Sequence, residues 1–490
     1  MSQKFDRIVV VGGGSAGWMT AVALATGLQG RASIELVESE EIGIVGVGEA
    51  TFPSIRVFNQ HVGIDEADFL RATNGTYKLG IRFRDWQAKG QDYFHTFGHF
   101  GNLSGSQTLW AQHRRMGLPE SLEGQCIPSV MAAKGRFVRP ADPGHFTYAY
   151  HFDAALYAEF VSKLAIGRGV RHTQGRIVEV LRREDGDVSG LLLADGRRIE
   201  GDLFVDCSGF RSLLLGQTLQ EPYVDFSHWL PVDGAWACSS ERVGEEITPY
   251  TRATALEGGW AWRIPLQTRT GHGHVFASRF VDEDVARRQL MAQLDGPAIG
   301  EPRLIRFKTG HRQRLWVNNV VAIGLSSGFL EPLESTSIFL IQDGIARLMK
   351  ALELQRPLNE SDVALFNEGS ARRFARIRDF IILHYCLTRR RDSELWRYVA
   401  GMELPQTLAF KIELWRRYGV LHEYDEECFD QTSWLAVHTG MGHWPEREDP
   451  VIAEIAQERA LRALAGRRQG IAAMVEGMPL HHQTLQQVLR

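Results

Sequence analysis

The sequence predicts an α/β fold that gains an added β-sheet and closes with a mainly helical C-terminal region. Three observations lead there. The chain opens as strand, glycine turn, helix and strand within its first 38 residues. Alternating apolar runs such as His274-Val275-Phe276-Ala277-Ser278-Arg279-Phe280, within residues 225–310, indicate a second, antiparallel sheet. From about Glu331 onward apolar residues recur at helical spacing: Ile338, Ile341, Ile345 and Leu348 on one face, Phe374, Ile377, Phe380 and Ile381 on another.

In the opening, Arg7-Ile8-Val9-Val10-Val11 reads as a buried strand, Gly12 to Gly17 as a turn, Trp18 to Leu28 as a helix and Ser33 to Val37 as the second strand. Each glycine of the G-x-G-x-x-G run has a physical task. Gly12 permits the tight turn, Gly14 lets the backbone approach a pyrophosphate, and Gly17 lets the helix sit close to the sheet. Ser15 and Ala16 stand where free amides at the helix start favour phosphate. Glu38, 21 positions past Gly17, can accept from ribose hydroxyls. The ligand could be NAD or FAD on this evidence. A β-rich stretch from Ile177 to Ile199 is followed by an apolar strand ending Asp206-Cys207-Ser208-Gly209, which resembles the second dinucleotide-contact strand of two-dinucleotide-domain flavoproteins. A third strand, Val317 to Ile323, ends at Gly324. Three glycine-terminated strands suit a ligand of FAD's length lying across one Rossmann-like sheet.

The stretch 85–150 is rich in aromatics and Gly without clear periodicity, and is expected to form loops and short strands. The division expected is an FAD-binding module over 1–355, with 85–150 and 225–310 contributing to a substrate side, and a helical substrate-binding cap over 356–490. Hydrophobic residues at 44% and charged residues at 23% match an ordinary globular chain, which excludes a disordered chain or a fibre. A net charge of −4 gives no reason to expect a nucleic-acid partner. The five scattered cysteines, an odd number with no C-x-x-C pair, argue against a disulfide framework. The first apolar run, Ile8 to Val11, is too short for a signal segment, and no window holds the roughly 18 apolar residues of a membrane span. A cytoplasmic location and no membrane partner are expected.

Four segments now carry a resemblance: Gly12 to Trp18 as GGGSAGW, Gly46 to Thr51 as GVGEAT, Trp260 to Pro265 as WAWRIP, and Pro332 to Ile338 as PLESTSI. The chain resembles a flavin-dependent halogenase of the tryptophan-halogenase family over essentially its full length. The resemblance implies that reduced FAD reacts with oxygen to a flavin C4a-hydroperoxide, and that a halide (chloride or bromide) converts it to hypohalous acid. That oxidant then halogenates an indole-like or other electron-rich aromatic substrate. A flavin-dependent aromatic monooxygenase, a hydroxylase, is the alternative.

The family's lysine falls on Lys78, in Tyr77-Lys78-Leu79-Gly80-Ile81-Arg82-Phe83. By pattern alone, alternation buries Leu79, Ile81 and Phe83 and leaves Lys78 on a solvated face; the resemblance instead makes it the group that positions the oxidant. Its carboxylate falls on Glu334, which by pattern is only an acid complementing a helix start. Ser335 or Thr336 suits the N-cap of the helix that follows, and the resemblance makes Thr336 and Ser337 the halide-site residues. Well-known tryptophan-specific members carry glycine where this chain has Ser337. Trp260 and Trp262 alternate on a strand, as core-packing pairs do, and by resemblance gate the flavin side against the organic substrate. Gly48, Glu49 and Ala50 fall in the loop that straps the flavin, with Asp206 and Gly324 as further cofactor contacts. His95, Phe97 and Trp444 are candidates for an aromatic slot. His95, His99, His151 and His384 lack metal-ligand spacing, so no metal is expected. No segment resembles a nicotinamide site, so a separate flavin reductase is expected to supply FADH2. A monomer and a homodimer fit equally.

Overall fold

The computed structural model describes residues 5–39, 48–100, 103–118, 121–142, 144–353, 358–447 and 456–490. Gly46 and Val47 of the strap motif lie outside them. The chain forms two compact units, each assembled from three segments: Met1–Gly75, Phe152–His228 and Phe307–Ala375 in the first; Thr76–His151, Trp229–Arg306 and Arg376–Arg490 in the second.

In the first unit a six-stranded sheet runs in the order Trp316–Val317, Val320–Ala322, Leu203–Asp206, Arg7–Val11, Ser33–Glu38, Arg171–Gln174. All neighbours are parallel except the first pair. The central strands are nearly continuous Val, Ile and Leu because both faces are buried, as parallel sheets require. Register brings Val11 opposite Val37 and Asp206, and Asp206 opposite Ala322. The three predicted glycine-terminated strands therefore end side by side, at the carboxyl edge where open α/β sheets bind ligands. A meander of Ile177–Arg182, Val188–Leu193 and Arg198–Glu200 seals one face, its Val188, Leu191 and Leu193 packing with Val9, Val11 and Phe204. On helix Ser337–Glu353 the expected stripe Ile338, Ile341, Ile345 and Leu348 is buried. The stretch 317–323 differs from a single strand. It is a hairpin turning at Asn318, whose φ of 53° is tolerated by asparagine.

The second unit is built on a seven-stranded sheet in the order Ala298–Arg306, Gly234–Glu241, Arg269–Phe276, Gly259–Pro265, Thr251–Ala255, Gly80–Arg84, Asp92–Thr96. Its neighbours are antiparallel apart from Thr251–Ala255 beside Gly80–Arg84. This is the sheet expected from the alternating runs. Around Trp86, wholly buried, pack Trp260, Tyr385 and Trp396. The C-terminal segment is helical: Glu394–Gly401, Gln406–Tyr418, Gln431–Gly440, Gln457–Glu476 and His481–Leu489. The stretch 85–150 holds more than loops and short strands, for it contains helices Leu103–Arg115 and Ile127–Ala133. Among the described residues no helix is long and apolar enough to cross a membrane.

Candidate active site

The glycine turn shows how backbone shape makes a cradle. Gly12 has φ 116°, and a Cβ there would lie 2.4 Å from the Cys207 carbonyl oxygen. A Cβ on Gly17 would lie 1.8 Å from the Gly12 carbonyl oxygen. These two glycines serve chain packing. Gly14 differs, because a Cβ there meets no protein atom within 4 Å. It precedes helix Ser15–Leu28 with no side-chain cap and no acid in the first turn. The first amides of that helix, at Ser15 and Ala16, therefore sit beside open space at a positive helix end. Glu38 leans over the turn: a Cβ on Gly13 would fall 1.4 Å from its Oε2. Its other oxygen lies 2.7 Å from His172 Nε2. Gly324, at φ 80°, packs where a Cβ would be 2.7 Å from the Ala16 Cβ.

Asp206 is wholly buried, and its carboxylate is filled by protein donors. One oxygen accepts from the Ser208 amide and hydroxyl, at 3.1 and 2.6 Å, and the other from the Leu214 and Leu215 amides, both at 2.9 Å. It shapes the loop at the strand end. In the short strand Gly48–Ala50, burial pushes the Glu49 carboxyl up to about 7.

The PLEST segment forms a single helical turn over Pro332–Glu334, then Ser335 turns the chain at φ 60°. The Thr336 carbonyl accepts from the Leu340 amide at 2.9 Å, which makes Thr336 the residue before the helix Ser337–Glu353. Its hydroxyl is buried with no hydrogen-bond partner among the described residues. Glu334 is 3% exposed, and Glu331, which sequence reasoning passed over, is fully buried. The missed signal was available: two carboxylates three positions apart within an apolar run are costly unless used.

In the second unit Lys78 ends the strand Thr76–Lys78 and has no exposed surface. It does not lie on a solvated face. Gly80, at φ 159° and with its Cβ position 2.2 Å from the His95 carbonyl oxygen, starts a separate strand, so alternation does not carry through from Phe83 to Lys78. The Lys78 ammonium nitrogen stands 5.3 Å from the Phe97 ring centre, within cation–π range. His95 faces Phe380 and Phe429, at 5.5 and 6.0 Å between rings, and those two stack at 3.9 Å. Trp444 instead stacks on His113 at 6.0 Å. Trp260 and Trp262 are 6.2 Å apart, as expected for one face of a strand. Gly273 makes room for the second, since a Cβ there would meet its ring at 2.0 Å. Both indole N–H groups are buried and without partners among the described residues.

Comparison with known proteins places this geometry. The tryptophan halogenase family profile matches residues 7–457. The tryptophan 6-halogenase SttH of Streptomyces toxytricini is 36% identical, over 98% of this chain and 97% of its own. The tryptophan 7-halogenase RebH of Lentzea aerocolonigenes is 33% identical, over 99% of each. A flavin-dependent halogenase from Xanthomonas campestris superposes with a TM-score of 0.95 at 43% identity, covering 99% of both chains. The chain belongs to the tryptophan halogenase family. It is an enzyme of the flavin-dependent halogenase kind, and flavin is the cofactor the family implies.

The residues present fit that flavin. A flavin dinucleotide needs a place for its pyrophosphate, and the turn at Gly14 leads into the helix start beside open space, where an added Cβ meets no protein atom within 4 Å. It also needs an acceptor for a ribose, and Glu38 stands at the end of its strand beside that turn.

Proposed function

We propose that this member of the tryptophan halogenase family transfers a halogen, chloride or bromide, to an indole-like or other electron-rich aromatic ring. The observation that carries the reading is Lys78, an amine taken wholly out of water on a three-residue strand beside the Phe97 ring. Reduced flavin, when bound, would supply the two electrons that activate dioxygen, and dioxygen is the oxidant that turns halide into an electrophilic halogen. A separate reductase supplies the flavin in reduced form. Gly12, Gly14, Ser15, Ala16, Gly17, Glu38, Gly48, Glu49, Ala50, Asp206 and Gly324 form or support the flavin site.

The chain's own residues then direct the halogen. The Thr336 hydroxyl and the helix start at Ser337 supply the halide with a donor and a positive helix end. The Lys78 ammonium donates a hydrogen bond to the oxygen of hypohalous acid. The ring carbon forms its bond to halogen while the halogen–oxygen bond breaks, and that oxygen takes a proton from the Lys78 ammonium and leaves as water. The Glu334 carboxylate stabilises the cationic ring and accepts the proton it sheds. Trp260 and Trp262 screen the organic substrate from the flavin, which favours halogenation over hydroxylation. His95 and Phe97 supply faces for a flat ring to stack on.

The deciding experiment supplies reductase, FAD and chloride with bromide to an aromatic library and reads products by mass. Halogenated arene is expected, and Lys78→Ala is expected to abolish it while reduced flavin continues to be oxidised. Full product from Lys78→Ala would overturn the lysine's role. Oxygen-18 in the product without halogen would support the hydroxylase.

A further inference from the structure

The lysine strand is only three residues long, so its neighbours must hold it in place. On one side it pairs with the strand Ala149–Asp153, in the register Thr76↔His151, Tyr77↔Tyr150, Lys78↔Ala149. On the other side the Tyr77 and Leu79 amides point the same way, as residues two apart must. The Leu79 amide donates to the Pro249 carbonyl oxygen at 2.7 Å. The Tyr77 amide donates instead to His481 Nε2, at 3.1 Å, across 404 positions of sequence. His481 Nδ1 lies 2.8 Å from the Ile247 carbonyl oxygen. One imidazole thus stands in for a ladder hydrogen bond between Tyr77 and the segment Ile247–Pro249.

The chemistry of the ring fixes its state. Nδ1 faces a carbonyl and must carry the proton, which leaves Nε2 as the acceptor the Tyr77 amide requires. His481 is fully buried, and burial pushes it down to about 4, so it is neutral at ordinary pH. The helix that bears it is itself clamped. The His481 amide donates to the Gly135 carbonyl oxygen at 2.9 Å, the Thr484 hydroxyl donates to the Phe137 carbonyl oxygen at 2.7 Å, and the Phe137 ring stacks on Tyr77 at 4.1 Å.

We infer that His481 is a positioning residue for Lys78: through the Tyr77 amide, the last helix of the chain sets where the buried ammonium stands. The inference rests on the proposed role of Lys78. The length of the side chain suits this need. A lysine swings on a four-carbon stem, so only a fixed Cα defines where its amine reaches, and an Å-scale error at a reacting centre costs about 100-fold.

The test compares His481→Phe, His481→Gln, His481→Asn, Thr484→Val and Lys78→Ala, each as the full chain. Two readouts are taken: halogenated arene formed per reduced flavin oxidised, and hydrogen exchange of the Tyr77 amide in the flavin-free protein. His481→Phe keeps a ring but has neither hydrogen-bonding nitrogen. It is expected to lower product per flavin at least about 10-fold, with KM for the aromatic held within about threefold. Exchange at Tyr77 is expected to quicken about five- to tenfold, the equivalent of one hydrogen bond. His481→Gln offers an acceptor and a donor on one carboxamide and is expected to restore most of the yield. His481→Asn, a methylene shorter, is expected to fail, which keeps the test open should His481→Phe not fold. Thr484→Val removes one clamp of the same helix but leaves the Tyr77 amide its acceptor, and is expected to lower the yield less than His481→Phe does. A wild-type yield from His481→Phe, or an equal loss from Thr484→Val, overturns the inference. Full yield from Lys78→Ala removes the role of Lys78 and this inference with it, whereas loss there with full yield in His481→Phe removes this inference alone.

Discussion

Single methyl groups in the glycine turn separate a ligand cradle from a tight corner. Gly14 has φ −77° and ψ −175°, an extended conformation open to any residue. An alanine Cβ there meets nothing in the protein. Gly14→Ala therefore gains about 0.4–1 kcal/mol by restricting the unfolded chain and loses a similar amount because alanine is a poor N-cap, so flavin-free stability stays near wild type. If a pyrophosphate occupies that space, the methyl overpacks it at about 1–3 kcal/mol, a loss of roughly 5- to 150-fold in FAD affinity. Gly17→Ala does the reverse. Its Cβ would sit 1.8 Å from the Gly12 carbonyl oxygen, so strand and helix must part. A cost of about 3 kcal/mol lowers the melting temperature of a unit this size by about 6–12 °C. The assay is thermal unfolding of both flavin-free variants beside calorimetric titration with oxidised FAD. The reasoning is refuted if Gly14→Ala binds FAD as wild type does, or if it melts as low as Gly17→Ala.

Gly273→Ala drives a Cβ to 2.0 Å from the Trp262 ring; it is expected to destabilise by about 1–3 kcal/mol, and adding Trp262→Ala is expected to cost far less than the two single changes summed, as a double-mutant cycle in urea will read. Burial holds His274 and His481 at about 4, well below the ordinary range. Their contribution is full above about pH 6.5 and is lost as pH falls from there toward 4, roughly 3 kcal/mol for each. As pH falls from 7 to 4, the denaturation midpoint of His274→Phe should gain on that of the wild type, because only the wild type loses this share; two profiles that run parallel would refute it.

Sequence reading reached the first unit well because its signals are local. A Val-rich strand, three glycines and an acid 21 residues on specify a βαβ turn almost without tertiary help. The second unit depends on distant pairings. Lys78 looked solvent-facing because Leu79, Ile81 and Phe83 alternate, yet the break at Gly80 discards that parity and the strand lies buried among residues from far along the chain. Helix Ile127–Ala133 has seven residues, too few for a 3.6-residue period to show. The turn at Asn318-Asn319 carried a readable signal, since asparagine favours positive φ. His481 carried none, for no local rule links a histidine near residue 480 to an amide at residue 77.

Hydrogen-bond satisfaction sorts the motif residues more sharply than the motifs themselves do. Asp206, expected as a cofactor contact, has a carboxylate that accepts from four protein donors, so its part in the proposed flavin site is to shape the loop at the strand end. Gly12 and Gly17 likewise answer to neighbouring backbone. Against these stand the Thr336 hydroxyl and the Trp260 and Trp262 indole N–H groups, all buried and unpartnered among the described residues. Each such donor costs about 1–3 kcal/mol when left without an acceptor. All three lie in the W-x-W-x-I-P and PLEST segments, where the family resemblance is most specific. In the proposed function the Thr336 hydroxyl donates to the halide. Three residues of the segments that carry the resemblance are thus among those the fold leaves unsatisfied, while the Asp206 carboxylate is filled within its own loop.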